Sequence, residues 1–190
     1  MDAFLLSFGV IFVAELGDKS QLMALTFAAR YPALPVLVGV TLATAVVHAL
    51  SVLVGAVVAV NLPTRAINVA AGLAFFGFAA WTLRGDTLDE DDVGRAERRG
   101  HRSAVVAAST AFFLAELGDK TMLATVTLAT NQGLWGTWAG STLGMVAADA
   151  LAILAGQRVA RRFSARAVRI AAACAFVLFG LVLVVGGLRG

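Results

Sequence analysis

The segment Ala14-Glu15-Leu16-Gly17-Asp18-Lys19 recurs residue for residue as Ala115-Glu116-Leu117-Gly118-Asp119-Lys120, each copy inside an otherwise apolar stretch. Two carboxylates and an ammonium within five residues are expensive in hydrocarbon, at about 2.5–3.5 kcal/mol per charge at the centre of a membrane helix. A chain that carries this cost twice, at one spacing, must fold so that the charged groups meet counter-charges or a ligand. Ionisable residues at membrane depth mark ion or proton sites by default.

The surroundings of the motif are those of a bilayer protein. Of 190 residues, 59% are hydrophobic and 14% charged, with mean hydropathy +0.86, whereas soluble domains carry about 25% charged residues. The expected fold class is therefore all-α integral membrane. A pI near 9.8 does not point to nucleic acid, because the basic residues sit in short segments between apolar runs, as membrane topology requires. Cys174 is the single cysteine, so no intramolecular disulfide can form. Met1-Asp2-Ala3-Phe4 lacks the basic start of a cleavable signal peptide, so the first helix is expected to stay in the fold.

Apolar runs long enough to cross a bilayer, about 20 residues each, fall near 3–29, 34–60, 65–84, 103–129, 134–157 and 166–188. They divide into two three-helix units, 1–84 and 103–190, joined by the charged linker 85–102. An offset of 101 residues matches the motifs, Phe12 with Phe113, Leu22 with Leu123 and Thr26 with Thr127. It also matches Gly39 with Gly140, Thr41-Leu42 with Thr142-Leu143, and Gly55 with Gly156. The third spans align only after a shift of two, Phe76-Gly77 against Phe179-Gly180. Three spans per unit is an odd number, so the second unit is expected to be inverted relative to the first. Inverted repeats are typical of secondary transporters, with the site where the repeats meet near the midplane. Eleven arginines (Arg30, Arg84, Arg95, Arg98, Arg99, Arg102, Arg158, Arg161, Arg162, Arg166 and Arg169) fall on one side, against Arg65 and Arg189 on the other. The positive-inside rule then puts residues 85–102 in the cytoplasm and both termini outside.

On a continuous helix Glu15, Asp18 and Lys19 project from one face, as do Glu116, Asp119 and Lys120. Brought together, four carboxylates and two ammonium groups carry a formal charge of −2, which a hard divalent cation neutralises. Gly17 and Gly118 either break their helices and free backbone carbonyls or serve close helix packing. The structural alternative for the whole motif is a Glu-to-Lys pair within one helix, which duplication and the extra Asp in each copy disfavour. Ser20, Gln21 and Thr26 follow the first motif, and Thr121, Thr125 and Thr127 the second. Of these, Ser20, Gln21 and Thr121 are supporting candidates, although hydroxyls in membrane helices commonly bond their own backbone. His48 and Asp149 are repeat equivalents, with Thr44 and Met145 one turn earlier. Asp149 carries the stronger functional expectation, since a lone membrane carboxylate has no cheap structural role. Gly136, Gly140 and Gly144 form a close-packing face.

The doubled Glu-x-Gly-Asp-(Lys/Arg)-(Ser/Thr) motif, here Glu15–Ser20 and Glu116–Thr121, resembles the signature of the Ca²⁺/Mn²⁺ cation transporter family. That family comprises the GDT-type manganese exporters and their Golgi relatives within the lysine-exporter superfamily. The resemblance implies cation/proton antiport in a bacterial-type plasma (inner) membrane, with Mn²⁺ the usual bacterial cargo and Ca²⁺ the alternative. It implies Glu15, Asp18, Glu116 and Asp119 as metal ligands, with Lys19, Ser20, Lys120 and Thr121 as motif partners. The substrates are then a divalent ion and protons, with no cofactor, and a homodimer is compatible with the sequence. An amino-acid or other small-solute exporter of the same fold would suit four acids and two bases less well than a cation transporter does. A cation channel fits poorly with paired acids that would occlude an ion. A membrane enzyme would want a nucleophile or a His cluster at the interface, and the histidines are only His48 and His101.

Overall fold

The computed structural model describes residues 2–84, 103–160 and 165–189, and every regular element among them is a helix. In chain order these are α1 (Ala3–Glu15), α2 (Lys19–Arg30), α3 (Ala33–Asn61), α4 (Thr64–Arg84), α5 (Ala104–Glu116), α6 (Lys120–Gln132), α7 (Leu134–Ala160) and α8 (Ala165–Arg189). The charged linker 85–102 and residues 161–164 of the basic connection lie outside the described residues. Four helices, α3, α4, α7 and α8, contain apolar stretches long enough to cross a membrane.

The runs near 3–29 and 103–129, expected as single helices, are each two helices separated at the charged motif. The cause is local. Gly17 and Gly118 adopt φ of 75° and 81°, a left-handed conformation that glycine enters without a Cβ clash and that ends a right-handed helix. The Asp18 N–H then donates to the Glu15 carbonyl at 3.1 Å, and the Asp119 N–H to the Glu116 carbonyl at 3.2 Å. The glycine amides, which lose helical acceptors, find side chains instead: Gly17 N–H donates to Gln21 Oε1 at 2.8 Å and Gly118 N–H to Met122 Sδ at 3.2 Å. Of the two alternatives for these glycines, the break is the observed one. The expectation that Glu15, Asp18 and Lys19 share one helical face fails for the same reason.

The helices pack between the two halves of the chain. α1 lies along α7, and its repeat equivalent α5 lies along α3; α3 and α7 touch each other, and α4 lies along α8. Small residues set the first two contacts, because a glycine lets one backbone rest on another. On α7, a Cβ at Gly136 would meet Ala3 Cβ at 2.7 Å, and one at Gly144 would meet the Phe8 carbonyl at 2.6 Å. Between them, Gly140 abuts the Phe4 carbonyl. The expected close-packing face is therefore the seat of α1. Gly39, the repeat equivalent of Gly140, does the same on α3, where a Cβ would meet Ala108 Cβ and the Val105 carbonyl, both at 2.7 Å. The shifted match of the third spans has no such counterpart: Gly180 packs on Phe76 while Gly77 faces open space.

Two apolar clusters fill the interior. One joins α1, α4 and α8 through Leu6, Ile11, Phe75, Phe78 and Phe176. The other joins α2, α3 and α5 through Met23, Phe27, Val36, Val40 and Phe112. Outward faces carry exposed Leu and Val such as Val60 and Leu154, and contiguous apolar surface of this kind belongs against lipid rather than water.

Candidate functional site

Each helix break leaves a Glu at the end of one helix and an Asp and a Lys at the start of the next. Lys19 and Lys120 therefore point away from their own motifs. Lys19 Nζ lies 3.2 Å from Asp119 Oδ1, and Lys120 Nζ lies 2.7 Å from Asp18 Oδ1. The self-neutralising Glu-to-Lys pair considered from spacing does not form; both ion pairs cross from one repeat to the other. They differ in burial, since the Lys19 side chain is 24% exposed and that of Lys120 only 4%.

With the aspartates and lysines matched one to one, the glutamates are the surplus charges. Glu15 and Glu116 are fully buried. Neither Glu15 oxygen has a hydrogen-bond partner, nor does Glu116 Oε1, while Glu116 Oε2 accepts from Thr121 Oγ1 at 3.0 Å. Glu15 lies within electrostatic reach of Glu116, Asp18, Asp149 and Asp119, and Glu116 within reach of Asp119, Asp18 and Asp149. Asp149, contributed by α7, is buried with both oxygens unpartnered. It adds a third surplus carboxylate to the two expected from the formal charge of −2. Buried carboxylates without partners require a proton or a cation. Among the described residues no three His, Cys, Asp or Glu side chains stand close enough to form a ready-made metal cage, and the lysines hold both aspartates.

The supporting candidates separate into two groups. Ser20 is buried and its hydroxyl is unpartnered. Gln21 accepts from Gly17 and donates from Nε2 to the Ala148 carbonyl at 2.8 Å, tying the break in the first repeat to α7 beside Asp149. Thr26, Thr125 and Thr127 instead donate to their own helix one turn back, a structural role. His48 is buried with Nδ1 3.5 Å from Thr142 Oγ1, and Thr44 Oγ1 donates to Met145 Sδ at 3.5 Å. Thr142 as the partner of His48 escaped the sequence reading, where it served only to mark the repeat. Met122, which occupies in the second repeat the place of Gln21, also went unnoticed. The offset of 101 is the signal that could have found it.

The chain matches, over residues 3–90 and 104–190, the model of the family described as divalent cation/proton antiporter GDT1. It is 34% identical over 184 residues to a Vibrio cholerae protein named "Putative manganese exporter", covering 95% of this chain and 90% of that protein. It is 34% identical over 199 residues to the GDT1-like protein sll0615 of Synechocystis, covering 96% of each. A GDT1-like protein 4 of Oryza sativa subsp. indica is 28% identical over 202 residues, 95% of this chain and 72% of that protein. No solved structure matches the chain significantly.

Proposed function

Because the chain belongs to the divalent cation/proton antiporter GDT1 family, we propose that it exports Mn²⁺, with Ca²⁺ the alternative ion, in exchange for protons through a site built from its two motifs. Mn²⁺ is put first because the Vibrio cholerae relative is named "Putative manganese exporter". In this reading each broken pair, α1–α2 and α5–α6, counts as one span. The chain then has six spans in two inverted units, 1–84 and 103–190. The arginine distribution supports a cytoplasmic linker 85–102 and both termini outside, in a bacterial-type inner membrane.

The observation that carries the proposal is the matching of both lysines to the aspartates of the opposite repeat, which leaves Glu15 and Glu116 as the surplus carboxylates of the motifs, beside Asp149, which stays neutral with a proton of its own in this reading. Carboxylate and hydroxyl oxygens suit a hard divalent ion. Glu15 and Glu116 are the primary ligands, with Asp18 and Asp119 joining when their lysines release them, and Ser20 and Thr121 supply neutral oxygens. Lys19 and Lys120 hold the aspartates in balance while no metal is bound. Two protons on the glutamates neutralise the same charge that one divalent ion does. The site thus holds the metal or its proton load and not both, which is the condition for exchange.

The test is uptake of Mn²⁺ and of Ca²⁺ into oriented proteoliposomes with and without a pH gradient. A proton gradient should drive Mn²⁺ in the opposite direction. Protons and metal compete for the same carboxylates, so apparent Mn²⁺ affinity should fall as pH falls and rise as pH rises. Flux and affinity that are both indifferent to pH and to an uncoupler would replace exchange with facilitated diffusion.

A further inference from the structure

Two helix contacts lead from the site in opposite directions along the chain's repeat, and they are built to one plan with different chemistry. Steps of four residues follow one side of a helix. On α7 they run Thr137, Ser141, Met145, Asp149, and on α1 Ser7, Ile11, Glu15. The repeat equivalents are Val36, Val40, Thr44, His48 on α3 and Ala108, Phe112, Glu116 on α5. All fourteen are buried to 1% exposure or less. The α3–α5 contact is dry: Val36, Val40, Ala108 and Phe112 belong to one apolar cluster, whereas on the α1–α7 side only Ile11 and Met145 of the corresponding positions belong to the other cluster. The hydroxyl beside it is satisfied, because Ser109 Oγ donates across the contact to the Gly39 carbonyl at 3.1 Å.

The α1–α7 contact holds three hydroxyls in the matching places. Thr137 and Ser141 are one turn apart on α7, and Ser7 Cβ lies 3.0 Å from where a Cβ on Gly140 would stand. The hydroxyls of Ser7, Thr137 and Ser141 have no hydrogen-bond partner. Hydroxyls on membrane helices ordinarily turn back to the carbonyl one turn earlier, as those of Thr41, Ser51 and Thr125 do here. These three do not. A buried hydroxyl left without a partner costs about 1–3 kcal/mol, and several clustered polar groups are the setting in which buried water is held.

We propose that Ser7, Thr137 and Ser141 bind a file of ordered water that links the Glu15–Asp149 side of the site to solvent at the α7 N-terminal end, while the α3–α5 contact stays dry. In the topology proposed above this end faces outward, and the inference rests on that transport reading for its role. Water in the file carries protons to and from the site without the helix separation that a metal ion requires. Proton exchange on that side is then decoupled from opening, and on the other side it is not.

Two measurements decide it. The first is X-ray hydroxyl-radical footprinting of the wild-type protein in nanodiscs. Met145, one turn from Ser141 on the path toward Asp149 and itself part of an apolar cluster, should oxidise despite complete burial, whereas Met23, buried in the dry cluster, should not. A protected Met145 overturns the proposal, whatever the protein transports. The second is proton-driven Mn²⁺ flux and equilibrium Mn²⁺ binding for Thr137→Val with Ser141→Ala, residues as apolar as their repeat equivalents. Flux should fall about ten-fold or more, as for loss of a proton-transfer path, with Mn²⁺ affinity unchanged and Met145 now protected. Unaltered flux, or loss of binding together with flux, overturns the role. Wild-type liposomes that move no Mn²⁺ under a proton gradient would refute the transport reading, while Met145 oxidation would still decide whether the file holds water.

Discussion

The two motif copies share six identical residues and differ in what surrounds them. In the first repeat Gln21 closes the break with an amide that also reaches α7; in the second a methionine sulfur takes that place. Thr121 hydrogen-bonds Glu116, whereas its equivalent Ser20 leaves Glu15 without a donor. The Lys120–Asp18 pair is sealed and the Lys19–Asp119 pair is a quarter open at the lysine. The ion-pair difference is one of state: the motif residues are the same, so nothing in the pair itself distinguishes the two sides. The neighbours, by contrast, are written into the sequence and differ between the two copies. If the proposed transport reading holds, such an unequal arrangement would invert by exchanging the roles of its halves, as alternating access asks of inverted repeats.

The largest effect expected falls on what the halves share. Glu15→Gln and Glu116→Gln should each lower Mn²⁺ affinity on the order of 100-fold, since charge count sets the affinity of oxygen sites, with folded protein still recovered from the membrane. Isothermal titration in detergent measures this. Wild-type affinity in either variant would mean that one copy is not a ligand. The next effect separates the two ion pairs. Lys120→Ala removes the lysine from a sealed ion pair and should cost about 3–5 kcal/mol of stability; Lys19→Ala, at the partly open pair, should cost markedly less. Thermal unfolding in one detergent compares them, and equal losses would erase the asymmetry. The smallest effect separates the hydroxyls. Thr121→Ala should lose about 1–2 kcal/mol with its hydrogen bond to Glu116, and Ser20→Ala should be neutral or slightly stabilising because it removes an unpartnered buried group. Identical shifts would show that the two hydroxyls are equivalent in the resting protein.

Much of this was legible in the sequence, and the part that was not shares one cause. The repeat, the charged motifs and the glycine face of α7 are patterns of composition and spacing, and the glycine face keeps its meaning in the structure as the seat of α1. The break could be foreseen only as one of two options, because Gly17 and Gly118 read alike whether they turn the backbone or admit a neighbour. Pairing was the harder loss. Glu15 and Lys19 stand at the spacing of a helical ion pair, and that inference presumes an unbroken helix between them. Once the glycines turn, Lys19 begins a new helix and its partner lies 100 residues away in sequence. Thr142 beside His48, and the unpartnered hydroxyls of Ser7, Thr137 and Ser141, are likewise facts of packing between halves.

The breaks have an electrical consequence beyond geometry. A helix end carries about half an elementary charge, positive at its amide end and negative at its carbonyl end. α1 and α5 finish carbonyl-first at Glu15 and Glu116, and α2 and α6 begin amide-first behind Asp18 and Asp119. The backbone thereby sorts the acids. Each aspartate caps a positive end and faces a lysine, so its negative charge is answered twice by the protein itself. Each glutamate sits at a negative end with nothing of opposite sign supplied from its own helix, and what it lacks must come from solution. This standing field is carried by peptide bonds, which neither titrate nor diffuse away, so it biases each glutamate toward a proton or a cation, whichever arrives.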